Sequence, residues 1–361
     1  FGDWASSDVT LTLTGQDENG GSGLKEIRYT TDGSTPTAGH GQVYDPADRP
    51  VISTEGTTTV RYVAVDNAGN VEAPVNTAVV RLDKTVPVIT DDSVANPPSG
   101  EAGTNGWYTS DVVVTFRAAD GLSGFTGKPD PHTFTATTSG EGNAVTVASG
   151  TVADVAGNLG TSVDSAPVQV DLTDPGVNCA AAPTFVLGST GQQVSATVTD
   201  DTSGPAAATV TADADTSSVG THNATVTGHD NAGRSTQATC SYRVVYDWSG
   251  FFKPIDNLPV LNSVKAGSAV PVKFSLGGDQ GLDVMATGYP RSTVISCDST
   301  ADTDAVEQTV TAGSSSLSYD PATGQYNYVW KTDKVWAGTC RQLVVQLDDG
   351  TYHRANFKLL K

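Results

Sequence analysis

Asp66-Asn67-Ala68-Gly69-Asn70 follows the apolar run Val60-Arg61-Tyr62-Val63-Ala64-Val65 and precedes a second strand-like run, Thr77 to Leu82. The stretch recurs as Asp154-Val155-Ala156-Gly157-Asn158 and as Asp230-Asn231-Ala232-Gly233-Arg234. Three copies spaced by roughly a small domain define an internal repeat. Each copy suits a type I turn, with Asp first and Gly fourth. The Asp carboxylate can accept from the turn amides, and Gly takes positive φ without a steric penalty. Flanked by β-branched runs, each copy predicts a hairpin between the last two strands of a sandwich.

The strand before each copy's loop has a matching partner at the start of its repeat. Trp4-Ala5-Ser6-Ser7-Asp8 leads into Val9, Leu11 and Leu13, which alternate with threonines. Trp107-Tyr108-Thr109-Ser110-Asp111 leads in the same register into Val112, Val114 and Phe116. In the third repeat Val194, Ala196 and Val198 alternate with Ser195, Thr197 and Thr199. One face is core and the other is wet. Each of these strands ends in an Asp-rich turn: Asp17 to Gly21, Asp120-Gly121 and Asp200-Asp201. The junctions match as well, Val80-Arg81-Leu82-Asp83-Lys84-Thr85-Val86-Pro87 with Val168-Gln169-Val170-Asp171-Leu172-Thr173-Asp174-Pro175. Proline ends the ladder there, and the near absence of a linker predicts stiff end-to-end packing.

Length and composition set the frame. A chain of 361 residues, with 38 Gly and 18 Pro, fits several small sandwiches and disfavours helices. No stretch shows convincing helical periodicity, and no run approaches the ~18 apolar residues of a membrane span. The chain opens inside a motif, at Phe1-Gly2-Asp3-Trp4, and reads as a piece of a longer protein with no signal peptide of its own. The net charge is −20, and 33 of the 40 acids are Asp. Such a surface repels nucleic acid and anionic membranes. Four cysteines allow three pairings; Cys179–Cys240 and Cys297–Cys340, each within one domain, are the simplest. Each bridge contributes roughly 4 kcal/mol in the chain-entropy model. Two bridges predict an extracellular location.

The repeat motifs resemble the bacterial immunoglobulin-like repeats of surface and secreted proteins, over most of residues 1–245. Tyr29-Thr30-Thr31-Asp32-Gly33-Ser34-Thr35-Pro36-Thr37 is similar to the C-terminal module of chitobiase and β-hexosaminidase, an accessory sandwich without catalytic residues. The third repeat resembles the hyalin-type repeat, which implies Cys179 on the first strand and Cys240 on the last. Pro271-Val272-Lys273-Phe274 matches the motif of the PxKF domains at the C-termini of actinobacterial secreted proteins. There Val270, Val272, Phe274 and Leu276 share one face, as do Tyr326, Tyr328 and Trp330, and Asp349-Gly350 turns into a closing strand, Tyr352 to Leu360. The expected fold is all-β: four tandem immunoglobulin-like sandwiches forming an elongated rod, with domains at 1–86, 87–174, 175–246 and 247–361.

Chemistry is sparse. Most of the five histidines, His40, His132, His222, His229 and His353, read as surface residues, and none has metal-ligand spacing. No nucleophile elbow or phosphate loop is present. Trp248, Phe251, Trp330 and Trp336 could form sugar platforms, but read first as core or as a seal at a domain seam. Calcium is the best chemical candidate. In a sandwich of this type the loop after the second strand, the last hairpin and the entering chain share one end. Asp120 and Asp154 are therefore expected near Asp83, and Asp200, Asp201 and Asp230 near Asp171 and Asp174. Carboxylates converging on one point call for a cation, and Ca²⁺ takes six to eight oxygens. The alternative is that each Asp only caps its own turn. The expected function is a non-catalytic stalk, adhesion or display region of a secreted or cell-surface bacterial protein, with an unspecified surface glycan or protein as ligand. The alternative is the accessory region of a secreted glycoside hydrolase.

Overall fold

The computed structural model describes residues 3–297, 302–306 and 316–361; Phe1 and Gly2 of the opening motif lie outside the described residues. Among the described residues the regular elements are β-strands, apart from a 3-10 turn at Lys334–Trp336. Among them no helix is long and apolar enough to cross a membrane. The chain divides into two compact units, Phe1–Thr173 with Asp201–Ser203 and Asn231–Arg234, and Asp174–Asp200 with Gly204–Asp230 and Ser235–Lys361.

The first unit begins with a five-stranded sheet in the order Trp4–Ala5, Asn76–Leu82, Gly56–Asp66, Leu24–Thr30, Gln42–Val43. A short pair, Val9–Thr10 with Val51–Ile52, forms a second sheet. The expected alternation sorts correctly: Leu11 packs with Ile52, Val60 and Val80, and Leu13 lies against Ile27, Tyr29 and Tyr44. Past Pro87, one sheet runs His132–Thr137, Val113–Ala119, Val88–Asp91, and a second runs Gly142–Val145, Val168–Val170, Trp107–Tyr108. Val112, Val114, Phe116 and Ala118 are fully buried with Ile89, Phe125 and Val170. Each such side chain contributes roughly 1.5–3 kcal/mol by leaving water.

In the second unit Gly176–Cys179, Gln193–Thr199 and Thr209–Asp213 form one sheet, and Thr184–Val186, Ser235–Val245 and Gly220–His229 another. Cys179–Cys240 joins the two sheets, and Cys297–Cys340 is closed as well. The C-terminal part pairs a four-stranded sheet (Phe251–Phe252, Ala269–Phe274, Gln325–Lys331, Ser318–Asp320) with a five-stranded one (Arg291–Ile295, Cys340–Gln346, Tyr352–Leu360, Leu261–Lys265, Thr303–Ala305). Its core contains Val270, Val272, Phe274, Leu276, Tyr326 and Trp330, the residues read as one apolar face on each strand. Two intramolecular bridges and an all-β immunoglobulin-like fold suit an extracellular protein.

One expectation needs correction. The second Asp turn does not join the last two strands. It closes the two-residue ladder Val152–Ala153 with Leu159–Gly160, and the last strand, Val168–Val170, pairs instead with Gly142–Val145 and Trp107–Tyr108. Pro167 lacks the N–H that would carry that ladder onward. Trp248 packs against the core of the C-terminal part, as do Leu187 and Val219 of the third repeat, in keeping with a seal at that seam. Its ring stacks 3.6 Å from His353 and 5.0 Å from Phe274. Of the histidines, His40 and His229 are exposed and His222 is half-buried; His132 is buried, edge-on to Phe125 at 4.4 Å, and burial lowers its pKa.

Candidate metal centre

The Asp-x-Ala-Gly turns form as read. Gly69 and Gly157 N–H donate to the carbonyls of Asp66 and Asp154, and both glycines take positive φ, 85° and 94°. In the second copy the backbone N–H of Asn158 donates to Asp154 Oδ1 at 2.8 Å, and its amide Nδ2 donates to Asp154 Oδ2 at 2.8 Å. The same Nδ2 donates to the backbone carbonyl of Asp83 at 2.9 Å. A turn deep in the second repeat is thus tied to the strand end that leaves the first.

Asp83 sits where the strand Asn76–Leu82 stops, and it is fully buried. Its Oδ1 accepts from Thr85 N–H at 3.0 Å, closing an Asx turn over the Asp-x-Thr motif, and its Oδ2 accepts from Ser123 N–H at 2.9 Å. Ser123 lies in the loop after Val113–Ala119, where Asp120 Oδ2 accepts from Gly124 at 2.7 Å and Leu122 at 3.3 Å. Asp120 Oδ1 is buried and has no hydrogen-bond partner among the described residues. Asp83, Asp120 and Asp154 are 0%, 6% and 6% exposed, and each offers a carboxylate oxygen within 4.8 Å of the other two.

Three carboxylates this close are poorly served by turn amides alone. At the 4.8 Å limit and an effective dielectric of about 20, each pair of full charges repels by about 3 kcal/mol. Among the described residues no lysine, arginine or histidine pairs with any of the three. The donor set, all hard oxygens with one orphaned and buried, fits Ca²⁺.

The remaining acids read from sequence divide as follows. Asp171 is buried and Asp201 exposed, both in the first unit; Asp230 is buried, Asp200 half-buried and Asp174 exposed, all in the second. Local geometry repeats: Asp171 Oδ1 accepts from Thr173 N–H at 3.1 Å, as Asp83 does from Thr85, and Asp200 Oδ1 accepts from Gly204 N–H at 2.7 Å, as Asp120 does from Gly124.

Sequence reading passed over two glutamates. Glu141 accepts from Leu172 N–H at 2.7 Å and Thr173 Oγ1 at 2.8 Å, and the Leu172 amide heads the contacts that lower its pKa. Glu55 does the same for Lys84 N–H and Thr85 Oγ1. Their only signal is position, about 30 residues before each Asp-x-Thr motif, which becomes visible once the two repeats are aligned.

Among the described residues two Ser/Thr-His-Asp groupings stand out, and neither has triad geometry. Ser34 Oγ lies 3.0 Å from His40 Nε2, but Asp32 accepts from the hydroxyl rather than from the imidazole. Thr351 Oγ1 likewise lies between Asp349 and His353, whose ring Trp248 covers. In both, the carboxylate binds the would-be nucleophile instead of orienting the base.

These features define an all-β, immunoglobulin-like tandem-repeat protein with a buried acidic centre. Residues 2–77 match the family model described as chitobiase/β-hexosaminidase C-terminal domain. Comparison with curated proteins gives no match. Among solved structures the chain is similar to the tetra-tandem repeat in the extending region of a large adhesion protein, with 15% identity, 92% of this chain and 91% of that chain covered, and a TM-score of 0.24. It is also similar to a structure from a 1.5-MDa bacterial ice-binding adhesin, with 12% identity, 99% and 92% covered, and a TM-score of 0.16. A third is the Bacteroides ovatus glucan-utilisation protein SGBP-B in complex with a mixed-linkage heptasaccharide, with 11% identity, 80% of each chain covered, and a TM-score of 0.17. TM-scores of this size equate neither the arrangement of domains nor any site.

Proposed function

We propose that the chain is a non-catalytic spacer of an extracellular bacterial protein, built from sandwiches bounded at 1–86, 87–174, 175–246 and 247–361, whose first junction is fixed by Ca²⁺. The observation that carries this reading is the buried group Asp83, Asp120 and Asp154 with its unpartnered Asp120 Oδ1. Calcium there would draw together the end of one repeat's last strand and two loops of the next. The junction would then be held by coordination as well as by the Asn158 and Ser123 hydrogen bonds. The test is thermal unfolding of the full chain with calcium and with chelator. A ligand that binds only the native state raises stability by mass action, about 2.7 kcal/mol at a hundredfold excess over Kd. Unchanged melting would leave the Asp residues as turn caps alone.

A second reading, an accessory region of a secreted glycoside hydrolase, is favoured by the match at residues 2–77. Retention of the chain on insoluble polysaccharide, unaffected by chelator, would support it over the spacer.

A further inference from the structure

The five-stranded sheet of the C-terminal part turns one face to the core, where Leu343, Val345, Ala355, Phe357 and Leu359 are buried. Side chains alternate along each strand, so the register sends Arg291, Arg354, Lys358 and Lys265 to the other face. The five strands contain one acid, Asp304, and its pairing through Asn262 with Phe357 puts it on the core side. The outer face is therefore basic in an acidic protein. Residues 1–246 hold 28 of the 40 acids and 10 of the 20 Lys and Arg, so the remaining 12 and 10 nearly balance in the C-terminal part.

Two of these cations belong to an aromatic cluster. Arg291 and Arg354 lie opposite Val344 from its two sides, about 10 Å apart at twice the strand spacing. The Arg291 guanidinium lies 4.6 Å from the centre of the Tyr289 ring, and that of Arg354 lies 5.3 Å from the centre of the Tyr352 ring. The two rings meet edge to face at 6.1 Å. Each ring attracts its arginine through the ring quadrupole and so fixes where the charge is presented. Both arginines and Tyr352 are exposed, and among the described residues neither arginine pairs with a carboxylate. On the same face Gln342 Nε2 donates to Asn356 Oδ1 at 3.0 Å, which leaves the Gln342 carbonyl and the Asn356 amide without a further partner among the described residues.

We propose that this face binds an acidic polysaccharide, a chain of carboxylate-bearing sugars laid across Arg291 and Arg354. Charge complementarity carries the choice. Each guanidinium is a planar fork that takes a carboxylate bidentately, and two of them face outward without an acid of their own. The exposed Tyr352 ring offers apolar surface to a sugar ring, and Gln342 and Asn356 offer hydrogen bonds to its hydroxyls. Nucleic acid is disfavoured, because a duplex carries a charge every ~1.7 Å and meets the net −20 of the whole chain. The site shares no residue with the Asp83 group and requires no calcium.

The test is calorimetric titration of the full chain, in chelator, with polygalacturonate, with the neutral glucan dextran and with a DNA duplex. Saturable binding of polygalacturonate is expected, with dextran and DNA bound much more weakly. Arg291→Gln and Arg354→Gln should each weaken it about tenfold, the loss of one charge-assisted pair. Lys25→Gln, which removes the same charge from the first repeat, should leave it unchanged. If the arginine variants unfold the C-terminal part, the ranking of the three ligands by the wild type still decides. No binding of polygalacturonate, binding that survives the double arginine variant, or dextran bound as tightly would overturn the proposal. DNA bound as tightly as polygalacturonate, and lost in the double variant, would replace the stated occupant with nucleic acid.

Discussion

Asp120→Asn should change sign with calcium. In chelator, Asp120 faces two other buried carboxylates within 4.8 Å, each repelling it by about 3 kcal/mol at an effective dielectric of about 20. Asparagine keeps an oxygen for the Gly124 and Leu122 amides and removes that charge. Solvent and small movements absorb much of the repulsion, so roughly 1–3 kcal/mol of stabilisation is expected, about 2–4 °C of melting temperature per kcal/mol for a unit of this size. In calcium the same change deletes a charged ligand, and the variant should melt below the wild type. The assay is thermal unfolding of both proteins in chelator and in millimolar calcium. A variant destabilised equally in both conditions would refute the reasoning, because that is the behaviour of a turn cap.

Three further outcomes follow from particular contacts. Asn158→Ala deletes the bonds to Asp154 Oδ2 and the Asp83 carbonyl, and should destabilise the first unit by roughly 1–3 kcal/mol, measured by denaturant unfolding. Burial beneath Trp248 lowers the His353 pKa from 6.5 to about 4, opposed by Asp349 and aided by Arg354. Its folded pKa lies below its unfolded value, so stability is retained above pH 6.5 and lost as pH falls toward 4, by roughly 1–2 kcal/mol after solvent screening; His353→Phe should flatten that slope. Reducing Cys179–Cys240 or Cys297–Cys340, with sequence separations of 61 and 43, should each cost about 4 kcal/mol by loop entropy; reduction without a shift in the denaturant midpoint would contradict this.

Much of the fold was legible because period-two alternation and turn chemistry act locally. Val112, Val114 and Phe116 went inward as read, and Tyr352–Leu360 closed the chain as read. Asp83, Asp120 and Asp154 could be placed at one end because the repeat aligned their turns. What escaped depends on long-range pairing. Nothing local marks Val168–Val170 as the partner of Gly142–Val145. Glu55 and Glu141 act on backbone about 30 residues away, and the sequence around each resembles an ordinary exposed turn. Nothing local marks His353, about 100 residues later, as the stacking partner of Trp248.

The most direct measurement is a calorimetric titration of Ca²⁺ into the chelator-stripped full chain at pH 7, repeated with Mg²⁺ and with the Asp83→Asn, Asp120→Asn and Asp154→Asn variants. A calcium centre at the first junction predicts saturable Ca²⁺ binding that Mg²⁺ reproduces only weakly, with one class of site lost in each variant. Binding that survives all three substitutions, or no binding by the wild type, would contradict it.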